Sequence, residues 1–373
     1  MKPRTFLAFA AVTAATVVAA AVSYTAQPEP ATVTASGEPA FPGLDDRIND
    51  VARIVIADKD GKFALARADS GAWVAEDKFG YPADEARIRE LVLGLADLHL
   101  AEAKTSRPER YDRLEVQDID AAGAKSRLVR LESGEGETLA EVLIGKQKYA
   151  MTGGEEAGTY IRLAGAQQAW LAAGEVAADG ATGDWLVREV VSLPSGAVRR
   201  IEIKQPDGGR VVAHRDSRED EGFAVEGVPE GREVDPAAVE GLASGLSLLE
   251  FEDVKPAEKI EFPKAHPVAT FTTFDGTAVS AELAKIGDKH WIRISAEQVE
   301  QRPAGDEKQP EQDGAAGAEE SAEDAKRTAG PEIAAAAIND RVEGWAYQIS
   351  PYVYDRLTQT IDDLLKPKDD GTS

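Results

Sequence analysis

The sequence contains no cysteine among its 373 residues. This absence excludes a thiol nucleophile, a disulfide, a zinc site built on thiolates and the lipidated cysteine of a bacterial lipoprotein. Basic residues are also scarce, because 42 Lys and Arg stand against 67 Asp and Glu, for a net charge of −25. Nucleic-acid binding needs clustered cations that contact phosphates, so the sequence predicts no nucleic-acid partner.

Residues and motifs that carry chemistry are few. The four histidines are His99, His214, His266 and His290. None has a second histidine at metal-ligand spacing, and no nucleophile elbow, Walker loop or dinucleotide-binding glycine motif follows a strand pattern. Residues 58–61, with the sequence D-K-D-G, hold only a fragment of a calcium loop, which favours a turn. We therefore predict no catalytic residue, no cofactor and no metal site, with an unrecognised hydrolase as the enzymatic alternative.

The first 26 residues are predicted to be a targeting segment. A basic start is followed by a run from Phe6 to Val22 without a charge. This length suits an uncleaved anchor in the inner membrane through residues 6–22, whereas the small residues Ala21 and Ser23 suit a cleaved signal peptide. In either case the body of the chain is expected in the periplasm. Residues 27–47 begin with a stretch rich in Pro, Ala and Thr and are predicted to be a tether.

A unit that begins at Val51 occurs a second time from Ala197. Both copies open with alternating isoleucines and a D-G turn, which predict a β-hairpin, and both later carry leucines at helical spacing. The segments Y-I-R-L at 160–163 and W-I-R-I at 291–294 extend the match. We therefore predict an α+β fold of two tandem repeats, each an antiparallel β-sheet with a covering α-helix, plus an N-terminal transmembrane or signal helix.

The predicted repeats have defined limits. The first spans residues 48–195, and the second spans residues 196–299 together with residues 332–366. Residues 300–331 interrupt the second copy, and because they are acidic and lack aromatic side chains they are predicted to be a disordered insertion. Residues 367–373 are predicted to be a frayed tail.

Five tryptophans recur near the ends of predicted elements. They are Trp73, Trp170, Trp185, Trp291 and Trp345. Packing in the core is the ordinary role of such residues. The alternative is an aromatic groove between the repeats that receives a peptide or a partner strand, which makes these five residues candidate ligand- or partner-binding positions. One of them, Trp170, lies in a segment, 166–173, that is predicted to be a short helix or turn.

The ordered set of motifs resembles a known family. After the apolar N-terminus come V-x-x-I-x-I, D-G, W, P-A-D and L-x-x-x-L-x-x-L between residues 51 and 98, and then I-G-K and Y-I-R-L. This arrangement resembles the DUF4340 family of bacterial envelope proteins, whose members often occur beside components of an ABC transport system related to gliding-motility auxiliary proteins. The resemblance implies a non-enzymatic accessory protein with ABC-type transporter components as partners. A periplasmic peptide- or glycan-binding protein with a cleft between the repeats is the alternative.

Overall fold

The structure is a computed structural model that describes residues 37–149, 158–299 and 334–367. Of these residues 39% are in strands and 22% in helices, and the sheets are antiparallel. The predicted α+β fold of two helix-covered repeats was wrong, because the chain is mostly β-sheet. The helix of the second copy ends after eight residues, at Ala243, where Ser244 and Gly245 have low helix propensity.

Several sequence predictions fall outside the described residues. They concern the anchor at residues 6–22, the tether as far as residue 36, the insertion at 300–331 and nearly all of the tail at 367–373. Within the part of the chain that the structure describes, no helix is both long enough and apolar enough to cross a membrane.

The chain divides into two compact units. Of the described residues, the first contains those from 37 to 71 and those within Glu85–Asp179. The second contains Ala72–Asp84 and the described residues from Gly180 onward. The short segment Ala72–Asp84 therefore precedes most of the first unit in the chain and yet folds as part of the second.

The first unit contains one large antiparallel sheet. With strands numbered along the whole chain, its members are β1 (Glu38–Pro39), β2 (Val51–Ala57), β3 (Lys62–Arg67), β6 (His99–Thr105), β7 (Arg127–Ser133), β8 (Thr138–Lys148), β9 (Gly158–Leu163) and β10 (Ala169–Ala173). They are ordered β1-β6-β10-β9-β8-β7-β2-β3. Residues 58–61 form the turn between β2 and β3, as the D-G pair predicts.

The second unit contains the remaining strands. They are β4 (Trp73–Ala75), β5 (Tyr81–Pro82), β11 (Glu189–Val191), β12 (Val198–Lys204), β13 (Arg210–His214), β14 (Ala224–Val225), β15 (Leu249–Glu250), β16 (Asp253–Pro256), β17 (Val268–Thr273), β18 (Thr277–Ile286), β19 (Lys289–Gln298) and β20 (Trp345–Ile349). The main sheet is ordered β14-β13-β12-β17-β18-β19-β20-β16, and β11 pairs with β15. The order β16-β20-β19-β18-β17-β12-β13 follows the same path along the chain as β6-β10-β9-β8-β7-β2-β3 in the first unit.

The α-helices of the described residues have between four and twelve residues. They are α1 (Leu44–Arg47), α2 (Glu85–Ala96), α3 (Pro236–Ala243), α4 (Ala335–Val342) and α5 (Pro351–Leu357). In α2 the side chains of Ile88, Leu91, Val92 and Leu95 are buried, as their spacing predicts. The side chain of Ser350 accepts a hydrogen bond from the N–H of Val353 and so caps the start of α5.

The segment predicted to be a short helix or turn, residues 166–173, instead contains strand β10. This strand lies between β6 and β9, and it pairs with both of them. Its sequence, A-W-L-A-A, lacks the alternation of a half-buried strand and is rich in good helix formers. Pairing and burial on both sides therefore outweigh the local preference of the segment.

A buried arginine ties a loop of the first unit to its sheet. Arg162, on β9, is 5% exposed. Its Nε donates to the carbonyl O of Val116 at 2.9 Å, and its Nη1 donates to the carbonyl O of Ala166 at 3.0 Å. The guanidinium also pairs with Asp118 and lies 4.7 Å from the ring centroid of Tyr111. One side chain thus contacts the segment between β6 and β7 at Val116 and Asp118 and the turn between β9 and β10 at Ala166.

The second unit uses an arginine at the matching strand position. Arg293, on β19, donates through Nη2 to the carbonyl oxygens of Ala257 and Ile260 at 2.7 and 2.5 Å. Its guanidinium lies 4.0 Å from the ring centroid of Phe262. The arginines of Y-I-R-L and W-I-R-I are thus structural residues: Arg162 holds the segment before β7, and Arg293 holds the segment before β17.

A side-chain amide completes part of the edge of the second sheet. β20 pairs with β19 at His290–Ile292. Farther along β19, the N–H of Ala296 donates to Asn339 Oδ1 at 2.8 Å, and Asn339 Nδ2 donates to the carbonyl O of Ala296 at 2.7 Å. Asn339, on α4, therefore satisfies both backbone groups that a neighbouring strand would otherwise pair with.

Replacing Asn339 by alanine is expected to lower the free energy of unfolding by about 1–2 kcal/mol, because two hydrogen bonds are lost. Urea unfolding measures this difference. The control is Asp340→Ala on the same helix, at an exposed position, for which we expect a change within about 0.5 kcal/mol. Equal effects of the two substitutions would show that the amide does not secure the strand edge.

Candidate functional site

The hairpin β4–β5 presents the most unusual local geometry in the second unit. Between its strands, Glu76–Lys78 forms a 3₁₀ turn, and the N–H of Gly80 donates to the carbonyl O of Ala75 at 3.0 Å. We refer to residues 76–80 as the hairpin tip. Two contacts fix its base: Thr182 Oγ1 donates to Asp77 Oδ2 at 2.9 Å, and Lys78 pairs with an aspartate of β16.

Phe79 occupies the left-handed region of backbone conformation, with φ 59° and ψ 28°. This region costs an L-residue roughly 1–2 kcal/mol, and a bulky side chain is seldom found there. The ring of Phe79 is nevertheless 50% exposed. The ammonium of Lys259 lies 5.1 Å from its centroid and so covers part of the ring. Phe79 therefore combines an unfavourable backbone conformation with a side chain that is buried only in part.

The hairpin is held in place by an aromatic cluster. The ring of Tyr81 makes edge contacts with Phe251, Trp345 and Tyr347, with centroids 5.3, 5.0 and 6.1 Å away. Its hydroxyl donates to the carbonyl O of Val187 at 3.1 Å. Burial raises the pKa of Tyr81, and burial together with the nearby Tyr81 raises that of Tyr347 further. Both side chains are therefore neutral phenols, and the cluster is an apolar packing surface that supports the hairpin.

A groove of about 320 Å³ lies beside the hairpin tip. Its lining includes Lys78, Asp184, Leu186, Arg188, Glu252 and Asp253. Lys78 Nζ lies 2.7 Å from Asp253 Oδ1, and both side chains are about one quarter exposed, at 26% and 22%. Arg188 lies 3.6 Å from Glu250 and 3.9 Å from Asp184. An exposed aromatic ring thus stands next to a concave surface with paired charges, a combination typical of protein-binding sites.

The five tryptophans do not form one exposed set. Trp73, Trp185 and Trp291 are at most 5% exposed, so their rings serve mainly as core packing. Trp345 is half-buried and contacts Tyr81. Trp170 is also half-buried and lies in the first unit, whereas the other four lie in the second. The aromatic groove between the repeats stays a prediction.

The acidic turn at residues 58–61 is explained by internal contacts. Asp58 Oδ1 accepts from the N–H of Asp60 and of Gly61, and Oδ2 accepts from Arg127 at 2.8 Å. Burial raises the pKa of Asp58, but these hydrogen bonds and the guanidinium outweigh that effect and hold it below its usual value. Among the residues that the structure describes, no group of three or more His, Asp or Glu side chains is arranged to hold a metal ion.

Replacing Asp58 by asparagine is expected to lower the free energy of unfolding by about 1 kcal/mol at pH 7, because Asn keeps an acceptor for the turn but loses the ion pair. A depressed pKa stabilises the folded state above the unfolded value of about 4, and this contribution is lost as pH falls through the folded value. The difference between wild type and variant should therefore shrink below pH ~4. Urea unfolding at a series of pH values tests this, and a difference that grows in acid would contradict it.

Sequence reasoning missed Phe79. The available signal is an aromatic residue that immediately precedes Gly80 within the charged stretch E-D-K-F-G. Such a residue reads equally well as the first buried position of the next strand. Its positive φ and its exposure arise only from the way the hairpin closes, and sequence periodicity does not report either.

Comparisons with known proteins agree with the family resemblance. The profile of the family described as "Domain of unknown function (DUF4340)" matches residues 73–270, a range that includes the hairpin tip and the groove. No curated protein and no solved structure matches the chain. The profile covers more than half of the sequence. The chain therefore belongs to the DUF4340 family.

Proposed function

We propose that this chain is a non-enzymatic interaction protein that binds a protein partner through Phe79 and the adjoining groove. The observation that carries the proposal is the exposed ring of Phe79 on a strained backbone. Strained positions persist where the surrounding structure enforces them, and they cluster at functional sites. An aromatic anchor with a polar rim has the composition of a binding hot spot.

The rigidity of the surroundings supports the same proposal. The hairpin tip is fixed by the contact of Asp77 with Thr182 and by the Lys78–Asp253 pair, and the cluster around Tyr81 lies behind it. A ring that is already held in its bound orientation loses little conformational entropy when a partner covers it. Little of the binding energy from the aromatic contact is therefore spent on ordering the ring.

The proposed partner is a membrane protein of the envelope. The resemblance to the DUF4340 family favours components of an ABC-type transport system. In this proposal, residues 6–22 hold the chain at the inner membrane and its body lies in the periplasm, where the hairpin tip meets the extracytoplasmic part of the transporter. Cleavage of the segment and release into the periplasm is the alternative.

Site-specific photo-crosslinking tests the proposal. A benzophenone amino acid is placed at position 79 of the full-length chain, and membranes that contain it are irradiated. The control position is Tyr352, which is 66% exposed and, like Phe79, has a cation over its ring, with Arg356 at 4.4 Å from the centroid. We expect a discrete product from position 79 that contains a transporter subunit, and no such product from position 352. Identical products from both positions, or none from position 79, would refute the proposal.

A further inference from the structure

The second unit has another concave surface, which shares no lining residue with the groove beside the hairpin tip. This cleft has a volume of about 530 Å³, within the range of ligand pockets. Its walls come from the β12–β13 turn, the loop before β17, the end of β18, and α5 with the residues after it. The lining side chains that matter below are Gln205, Asp207, His266, Lys285, Tyr354 and Thr358.

The walls of the cleft are fastened to one another. Gln205 Nε2 donates to the carbonyl O of Thr358 at 2.6 Å and so joins the β12–β13 turn to the segment after α5. The ring of Tyr354 packs against that of His290, with centroids 4.6 Å apart. Within the loop before β17, His266 Nδ1 lies 2.8 Å from the carbonyl O of Pro263. The cleft is therefore formed before any ligand arrives, and a ligand has little protein to order.

Internal hydrogen bonds use donors of Gln205 and Thr358 and leave acceptors on both side chains. Because the amide nitrogen of Gln205 is engaged, its Oε1 remains as an acceptor. Thr358 Oγ1 donates its proton to the carbonyl O of Tyr354 at 2.9 Å, which leaves oxygen lone pairs for a ligand. These uncharged acceptors call for a ligand rich in hydrogen-bond donors.

His266 adds another acceptor of the same kind. Its Nδ1 lies 2.8 Å from the carbonyl O of Pro263. A carbonyl oxygen only accepts, so Nδ1 donates to it, and in this tautomer Nε2 is the acceptor of the ring. The carboxylate of Glu282 lies 3.8 Å from Nε2, beyond hydrogen-bond distance. Asp207 supplies an anionic acceptor and Lys285 a cation, so the lining charges balance.

These features disfavour other ligand classes. An anion or phosphate would face Asp207 with a single lysine to bind it, and a polyamine would face the ammonium of Lys285. A peptide added as a strand needs free backbone donors. Here the N–H of Leu283 already donates to the carbonyl O of Pro267, and Pro206, Pro263 and Pro267 have no N–H. The lining of the cleft therefore suits a neutral ligand with many hydroxyl groups and with C–H faces that pack on apolar walls.

We propose that this cleft binds a neutral oligosaccharide, whose hydroxyl groups donate to Gln205, His266 and Thr358 and whose ring packs against Tyr354 and the proline walls. The proposal is independent of partner binding through Phe79, since the two surfaces have no lining residue in common. A chain that binds both would connect an envelope glycan with a membrane complex.

Isothermal titration calorimetry of the full-length chain tests this assignment with cellobiose, maltose and N,N′-diacetylchitobiose as probes. We expect at least one to bind at micromolar to millimolar concentration. Ala265→Trp, which places a large ring at an exposed position of the lining, is expected to weaken binding at least about tenfold. Asp207→Asn is expected to weaken it less, because the amide keeps one acceptor oxygen.

The control is Ala121→Trp, which places the same ring at an exposed position of the first unit and is expected to leave saccharide affinity unchanged. Spermidine and a proline-rich peptide are titrated in parallel. Failure of every saccharide to bind at millimolar concentration would overturn the proposal, as would equal affinity of wild type and Ala265→Trp. Binding of spermidine or the peptide that Ala265→Trp weakens, without saccharide binding, would overturn the proposal and assign the cleft to that other class.

Discussion

Replacing Arg162 by alanine is expected to lower the free energy of unfolding of the first unit by about 3–5 kcal/mol. The substitution leaves the carbonyl groups of Val116 and Ala166 without their donor, and it removes the partner of Asp118 and the cation over Tyr111. The side chain is almost fully buried, so water does not readily replace these contacts.

Urea unfolding measures this loss of stability, and two further variants serve as comparisons. Arg162→Lys keeps the charge but has no planar fork, so it is expected to recover only part of the stability. Arg130→Ala on β7 removes ion pairs with Glu132 and Glu141 from a side chain that is 35% exposed, and it is expected to cost about 0–1 kcal/mol. A similar loss for Arg162→Ala and Arg130→Ala would mean that the buried arginine does not secure the loop.

Replacing Phe79 by asparagine is expected to weaken binding of the crosslinked partner by about 2 kcal/mol or more, roughly 30-fold. Asparagine tolerates the left-handed backbone better than other side chains with a β-carbon, so the hairpin keeps its shape and only the ring is lost. The affinity is measured between the full-length chain and the partner identified from position 79.

The matched control for affinity is Tyr352→Asn, which removes another exposed aromatic ring with a cation over it from an unstrained position. We expect it to leave affinity within about twofold of wild type. If both variants weaken binding equally, the effect belongs to general surface hydrophobicity. If neither does, Phe79 is not part of the interface.

The sequence predicted those elements whose conformation is determined by residues close together in the chain. The turn at residues 58–61 and the helix Glu85–Ala96 lie where the D-G pair and the leucine spacing predict them. The fold class did not follow, because it depends on how much of each unit is sheet. The strand Ala169–Ala173 contains good helix formers and becomes a strand through pairing with β6 and β9.

The tryptophan pattern shows how sequence spacing and strand register differ. Trp170 and Trp345 lie at the starts of strands with the same place in the two sheet orders. Ile161 and Ile292 are the isoleucines of the motifs Y-I-R-L and W-I-R-I. Trp170 pairs with Ile161, but the residue that pairs with Ile292 is Tyr347 and not Trp345. An offset of this kind depends on which residues pair across strands, and a sequence read along one chain does not contain it.

The candidate sites were out of reach of sequence reasoning for a related reason. The lining of the cleft brings together residues near positions 206, 266, 284 and 358, which no local motif connects. The role of His266 follows from a single hydrogen bond to Pro263, and the importance of Phe79 follows from one dihedral angle and its exposure. Each of these properties exists only in the folded chain.

We infer that Phe79 serves binding and makes no net contribution to the free energy of unfolding. The most direct measurement is the free energy of unfolding of Phe79→Asn relative to wild type, from urea unfolding. Relief of backbone strain offsets the loss of the contact with Lys259 and of the partly buried ring, so the predicted difference lies within about 1 kcal/mol of zero. A loss of more than about 2 kcal/mol would contradict the claim, because it would show that the fold itself depends on the ring.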